Sequence, residues 1–118
     1  MRVKARKVQD DGITFDSATE HRRYLELRML QRAGEISKLQ AHPQFVFIVN
    51  DVTVGKYRPD FYYLRPLGTS GGQEAVCEDV KGWKRSAKTG KLLPRVDRDF
   101  ALRRNLMLAC FGLKVEIV

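Results

Sequence analysis

Asp60, Asp79 and Lys81 sit where strands do not ordinarily carry charge. "YRPDFYY" (57–63) sets Asp60 behind Pro59 at the head of an aromatic run, and "CEDVKGW" (77–83) sets Asp79 and Lys81 inside a second strand-like run. Side chains two apart in a strand share a face, so Asp79 and Lys81 flank Val80 and project the same way. Burying them costs free energy unless they are paired or serve a cation and an anion. If the two runs pair, Asp60 and Asp79 come within reach of one small hard cation. Mg²⁺ suits such a place, because it takes carboxylate oxygen and keeps several waters, with a substrate phosphate completing its shell. A lysine beside it orients water or stabilises charge developing on phosphate oxygens. The chemistry expected is phosphodiester hydrolysis with Mg²⁺, for which Mn²⁺ would substitute.

Plainer readings stand beside this one. Asp60 could be a turn residue after proline, and Asp79 with Lys81 a surface ion pair worth under about 1 kcal/mol. The apolar flanks of "AVCEDV" argue instead for an interior strand. Glu78 falls on the opposite face from Asp79 and is expected to pair with a surface lysine, becoming a ligand only if the strand is bulged.

The elements that must hold these residues follow from pattern and punctuation. A helix is expected from about Ala18 to Ala33, with Ser17 as N-cap, Glu20 at the capping-box position and Gly34 as the stop. Glu20, Tyr24 and Leu27 share one face of it. "EISKLQAH" and "QFVFIV" read as short strands around Pro43, "NDVTVG" as a turn and part of a connection, "KYRPDFYYLR" as a third strand, and "PLGTSGG" as a loop. "QEAVCEDVKG" is a fourth strand. "VDRDFALRRNLMLACF" is a second helix, capped by Asp97 and ended at Gly112, and "LKVEIV" a last strand. The expectation is an α/β fold, a central mixed sheet of four to five strands flanked by helices. Residues 1–118 form one domain, with 1–11 a basic arm and 83–95 an exposed basic loop.

Charge narrows the partners. Twenty-two Lys+Arg against fourteen Asp+Glu give a net +8, a balance that suits a polyanion. Lys84, Arg85, Lys88, Lys91 and Arg95 fall in the loop with no acid among them, as a phosphate-tracking or simply solvated segment. Trp83 stacks on a base or packs in a core or dimer contact. Arg2, Lys4, Arg6 and Lys7 of the arm hold DNA or are solvated. Cys77 and Cys110 are expected as buried, reduced thiols. With His21 and His42 read as isolated, no zinc site is expected. No glycine loop leads into a helix, so no nucleotide cofactor is expected. "MRVKARKVQDD" has no apolar stretch after its charges and reads as no secretory signal.

Pro59-Asp60, an eighteen-residue spacer and then Asp79-Val80-Lys81 resemble the signature of the PD-(D/E)XK, restriction-endonuclease-like nuclease superfamily. With "FDSATEHRRYLEL" and the closing "FALRRNLMLACFGLKVEIV", the chain most resembles its small phage and prophage nucleases, including members similar to Holliday-junction resolvases. The resemblance implies an α-β-β-β-α-β core and a Mg²⁺-dependent endodeoxyribonuclease acting on branched or junction DNA. It implies Asp60 and Asp79 as metal ligands, the Val80 carbonyl as a further one, Lys81 as the catalytic lysine, and Glu20 at the metal or its waters. Where members carry a polar residue on the second helix, Arg103 or Arg104 would substitute, either also able to contact nucleic acid. Resolving a junction implies a homodimer, in the cytoplasm of a bacterial host. RNA, a sequence-specific target, or a catalytically silent DNA-binding or assembly role are the alternatives.

Overall fold

The computed structural model describes residues 7–68, 71–81, 83–94 and 98–118, with the side chains of Trp83, Lys84 and Pro94 outside that description. The architecture is α/β. A mixed four-stranded sheet, ordered β10-β7-β6-β3, is built from β3 (Ser37–Ala41), β6 (Phe61–Pro66), β7 (Gln73–Asp79) and β10 (Val115–Ile117). β3–β6 and β6–β7 pair antiparallel, and β7–β10 pair parallel. Helices α1 (Ala18–Arg32) and α2 (Arg98–Phe111) complete the frame. Taken with the sheet strands alone, the chain order is helix, three strands, helix, strand, as expected.

Among the described residues three hairpins stand outside that sheet: β1 (Val8–Asp10) with β2 (Ile13–Phe15), β4 (Phe45–Val49) with β5 (Val52–Tyr57), and β8 (Trp83–Arg85) with β9 (Leu92–Pro94). Each corrects an expectation. The segment from Val8 onward is no frayed arm, because Asp11 and Gly12 both adopt positive φ (53° and 73°) and close a two-residue turn whose twist matches its strands. The same happens at Asn50 and Asp51 (φ 49° and 63°), so Val52–Tyr57 is a strand rather than a connection. "KYRPDFYYLR" is not one strand, since Pro59 cannot donate to a ladder and splits it into β5 and β6. The basic segment 83–95 contains a hairpin. Arg2, Lys4, Arg6, Arg95 and the Asp97 cap lie outside the described residues.

The two faces of the sheet make two cores, and strand alternation decides which residue enters which. Phe61, Tyr63 and Val76 meet Phe15, Tyr24, Leu27 and Ile36 on the α1 face. Cys77 and Val115 meet Phe47, Tyr57, Phe100 and Met107 on the α2 face. Both cysteines are free thiols, Cys77 buried and Cys110 half-buried, and burial pushes the Cys77 thiol up to about 11.

Glu78 follows Val76 onto the α1 face and is wholly buried there. This overturns the expected surface lysine partner. Arg23 Nε and a terminal nitrogen grip its two oxygens at 2.8 and 2.6 Å, and the Tyr63 hydroxyl donates to it as well. Glu78 therefore ties α1 to the middle of the sheet.

Candidate metal centre

The first turn of α1 places Glu20. Ser17 caps the helix by accepting the Glu20 N–H at 3.1 Å, yet the Glu20 carboxylate does not complete a capping box. It is buried, 4% exposed, and its Oε1 lies 2.5 Å from His42 Nε2. His42 ends β3 at φ 54°, a left-handed conformation that costs a non-glycine residue about 1 kcal/mol. Its N–H donates to the Asp60 carbonyl at 2.9 Å, and its ring packs 5.9 Å from that of Phe15. The backbone thus swings the imidazole off the strand and onto Glu20.

Asp60 arrives from the other side. Pro59 is fully buried, and the Asp60 N–H donates to the Glu78 carbonyl at 3.0 Å, which locks the start of β6 against the end of β7. Its Oδ2 accepts the Val80 N–H at 2.6 Å. One donor atom each from Glu20, His42 and Asp60 falls within 4.8 Å of the others. The bond from Val80 to Asp60 engages the Val80 amide and leaves the carbonyl, the group expected as a ligand, uninvolved.

Asp79, 6% exposed, occupies the α2 side of the same sheet end. Its Oδ1 is 3.0 Å from Lys81 Nζ, and its Oδ2 accepts from the Tyr57 hydroxyl. Lys81 Nζ also sits 4.1 Å over the Phe100 ring. The shared face expected for Asp79 and Lys81 is therefore present, in a buried setting. Burial pushes the Asp60 carboxyl up to about 8, the Val80 amide opposing the shift while the neighbouring Asp79 and Glu20 charges add to it. Burial, and then the bond to Asp79, raise the Tyr57 hydroxyl far above its ordinary range.

This donor set fits a hard divalent cation. Two carboxylates and an imidazole, from Glu20, Asp60 and His42, bring donor atoms within 4.8 Å of one another, while Asp79, expected as a ligand, stands beside this group with its oxygens on Lys81 and Tyr57. The imidazole adds a nitrogen donor, which Mn²⁺ accepts more readily than Mg²⁺.

A pH dependence follows in the metal-free protein. The folded pKa of Asp60 is raised above its unfolded value, so the stability it contributes is full below about pH 4 and is lost as pH rises through about 8. Asp60→Asn is expected to remove that loss, melting about 5–10 °C above wild type at pH 8 in EDTA and much closer to it at pH 5. Parallel melts across that range check it. A constant gap would mean that Asp60 carries no extra proton.

His42 and Tyr57 are functional candidates that sequence reasoning passed over. His42 is not isolated, and His21 pairs with Asp10 at 2.9 Å. A histidine immediately before Pro43, where a strand must end, was the available signal. Of Arg103 and Arg104 on α2, Arg103 approaches the centre, its guanidinium 5.7 Å from the Tyr57 ring. Arg104 instead donates to the Val115 carbonyl at 3.2 Å. On the β8–β9 hairpin, Arg85 donates to the Gly90 carbonyl at 2.6 Å, while Lys88 and Lys91 are exposed. Among the described residues no helix is long and apolar enough to cross a membrane.

A family model described as "Protein of unknown function (DUF1064)" matches residues 1–97. That span contains α1, β3, β6, β7 and every acid and histidine of the centre, and it stops short of α2. No curated protein and no solved structure matches the chain. On a match over 1–97 of 118 residues, the chain belongs to the DUF1064 family.

Proposed function

We propose that the chain is a metal-dependent DNA endonuclease of the PD-(D/E)XK type. The observation that carries this reading is the sheet end where Asp60 stands beside the buried Asp79, with Lys81 Nζ 3.0 Å from the latter and one donor atom each of Glu20, His42 and Asp60 within 4.8 Å of the others. A fold frame of helix, three strands, helix and strand supports it, because it brings the two motifs to one sheet end.

Asp60, Asp79 and Glu20, with His42, would hold the ion. Mg²⁺ supplies Lewis-acid polarisation of the phosphate and a lowered pKa for water. The chain's own groups do the rest. Lys81, steadied between Asp79 and the Phe100 ring, presents fixed positive charge to the phosphate oxygens as negative charge develops on them. Asp60 would have to give up its proton to serve as a ligand, so metal affinity should rise with pH. His42 Nε2 lies against Glu20 Oε1, which keeps these two donors side by side where the ion would sit.

The Tyr57 hydroxyl donates to Asp79 and would hold it in place, as partners of metal ligands ordinarily do. Tyr57→Phe is expected to weaken metal binding and cleavage by roughly 10–100-fold, with Mn²⁺ titration and single-turnover cleavage as the readouts. Unchanged metal affinity would remove Tyr57 from the centre.

Branched or junction DNA is the substrate proposed, with a homodimer supplying the two cuts that a junction needs. The test is cleavage of a labelled four-way junction, linear duplex, single strand and RNA hairpin, each with Mg²⁺, Mn²⁺ or EDTA. Metal-dependent cutting of the junction supports the reading. Tight binding with no cutting of any substrate would replace it with a silent binding role.

A further inference from the structure

Beside His42 lies a cleft of about 440 Å³, walled by the β1–β2 hairpin on one side and by Arg58 on the other. Its walls are mostly polar, and Lys7, Thr14, Asp16, His42 and Arg58 bring the chemistry to them. The hairpin's own acids are spent elsewhere. Asp10 pairs with His21 at 2.9 Å, and Asp11 accepts from Tyr24 and Arg28 of α1, bonds that hold its carboxyl below the usual range. These contacts fasten the wall to α1 and leave Asp16 as the one acid facing the cleft.

Lys7 and Arg58 differ from most cations near the centre. Arg23, Arg28 and Lys81 are each committed to a carboxylate, whereas Lys7 and Arg58 form no ion pair among the described residues. Two cations left free in the lining of one polar cleft match an anion with several acceptor oxygens, and Thr14 in the same lining offers a hydroxyl donor. Position says which anion. His42 belongs both to the cleft and to the Glu20–His42–Asp60 donor group. Arg58 precedes Asp60 by two residues, about 7 Å of extended chain. An anion in the cleft is therefore adjacent to the metal centre.

We infer that this cleft is a phosphate subsite, in which Lys7 and Arg58 hold the nucleic-acid strand one phosphodiester away from the bond being cut. The inference rests on the nuclease reading for its substrate and moves the main backbone contact from the β8–β9 hairpin to the mouth of the centre. Because strand recognition here is by charge and not by base edge, it carries no sequence preference.

The test is fluorescence-anisotropy titration of a short labelled single-stranded oligonucleotide at several salt concentrations. It uses the full chain carrying Lys81→Ala, with and without Lys7→Ala/Arg58→Ala. Loss of one phosphate contact should lower the salt slope by about 0.7 and affinity by roughly 10-fold. Arg58→Lys, which keeps the charge, should restore most of both. In chains that retain Lys81, the double variant should raise KM roughly 10-fold while kcat changes far less. Both side chains lie on the surface, so melting should be unaffected. A wild-type salt slope in the double variant, or no oligonucleotide binding by the parent chain, overturns the subsite. Cleavage that persists with unchanged KM also overturns the subsite but leaves the nuclease standing. Binding that falls as expected in a chain that never cleaves upholds the subsite and removes the nuclease.

Discussion

Lys81→Ala and Asp79→Asn should each lower metal-dependent cleavage by at least about 10³-fold, with oligonucleotide binding retained. The expectation comes from what the two groups do together. Asp79 is 6% exposed and is held from opposite sides by Lys81 and Tyr57. On the nuclease reading, removing the ammonium would leave the transition state without its fixed cation, and removing the carboxylate's charge would weaken a proposed ligand. Because the pair acts as one unit, the double variant should be little worse than either single one. Fold is the necessary control. Asp79→Asn keeps the Tyr57 hydrogen bond and the side-chain volume, so its melting temperature should stay within a few degrees of wild type. Wild-type cleavage rates in both variants would remove this sheet end from the chemistry.

The second large effect is on stability and lies on the opposite face of the same strand. Arg23→Ala should destabilise the chain by about 3–5 kcal/mol, the range for breaking a buried pair by removing one partner. Glu78 is wholly buried, and without the guanidinium it keeps the Tyr63 hydroxyl as its side-chain donor. Desolvation of the remaining carboxylate drives the loss more than the pair's own attraction does. Chemical denaturation measures it as a shift in midpoint at constant slope. Replacing both partners, Arg23→Leu with Glu78→Leu, should recover much of the loss, because no charge is then left buried. Equal losses in the single and double variants would contradict that account. Cleavage assays on Arg23→Ala need a temperature at which the variant is folded, since β7 carries Glu78 beside Asp79.

How much of this was legible in the sequence depends on whether a residue's partner lay near it in the chain. The α1 boundaries followed from local chemistry, because Ser17 and Gly34 act within a turn of where they sit. Asp60, Asp79 and Lys81 could be placed at one sheet end from strand alternation and a single assumed pairing, and β6 and β7 do pair. The Asp-Gly turn at 11–12 was equally local and was misread only because the basic start of the chain suggested an arm. Glu78 is the instructive failure. Alternation put it correctly opposite Asp79, but nothing near it announced Arg23, 55 residues away. His42 failed for the same reason, since its partner Glu20 lies on a helix across a full strand. Glu20 itself had two local readings, cap or ligand. Only the tertiary position of His42 separates them, by drawing the carboxylate away from the Ser17 amide.

The measurement that bears most directly on the nuclease account uses one preparation each of wild type and Asp60→Asn. Mn²⁺ binding by calorimetry and cleavage of a labelled four-way junction are measured side by side at pH 8. Asp60 is the residue on which both halves of the centre converge, and its asparagine variant is expected to be the more stable protein without metal, so a loss cannot be ascribed to unfolding. The account predicts that wild type binds Mn²⁺ and cuts, while Asp60→Asn, folded and melting higher, does neither. Wild-type Mn²⁺ affinity and cleavage in the folded Asp60→Asn protein would contradict it.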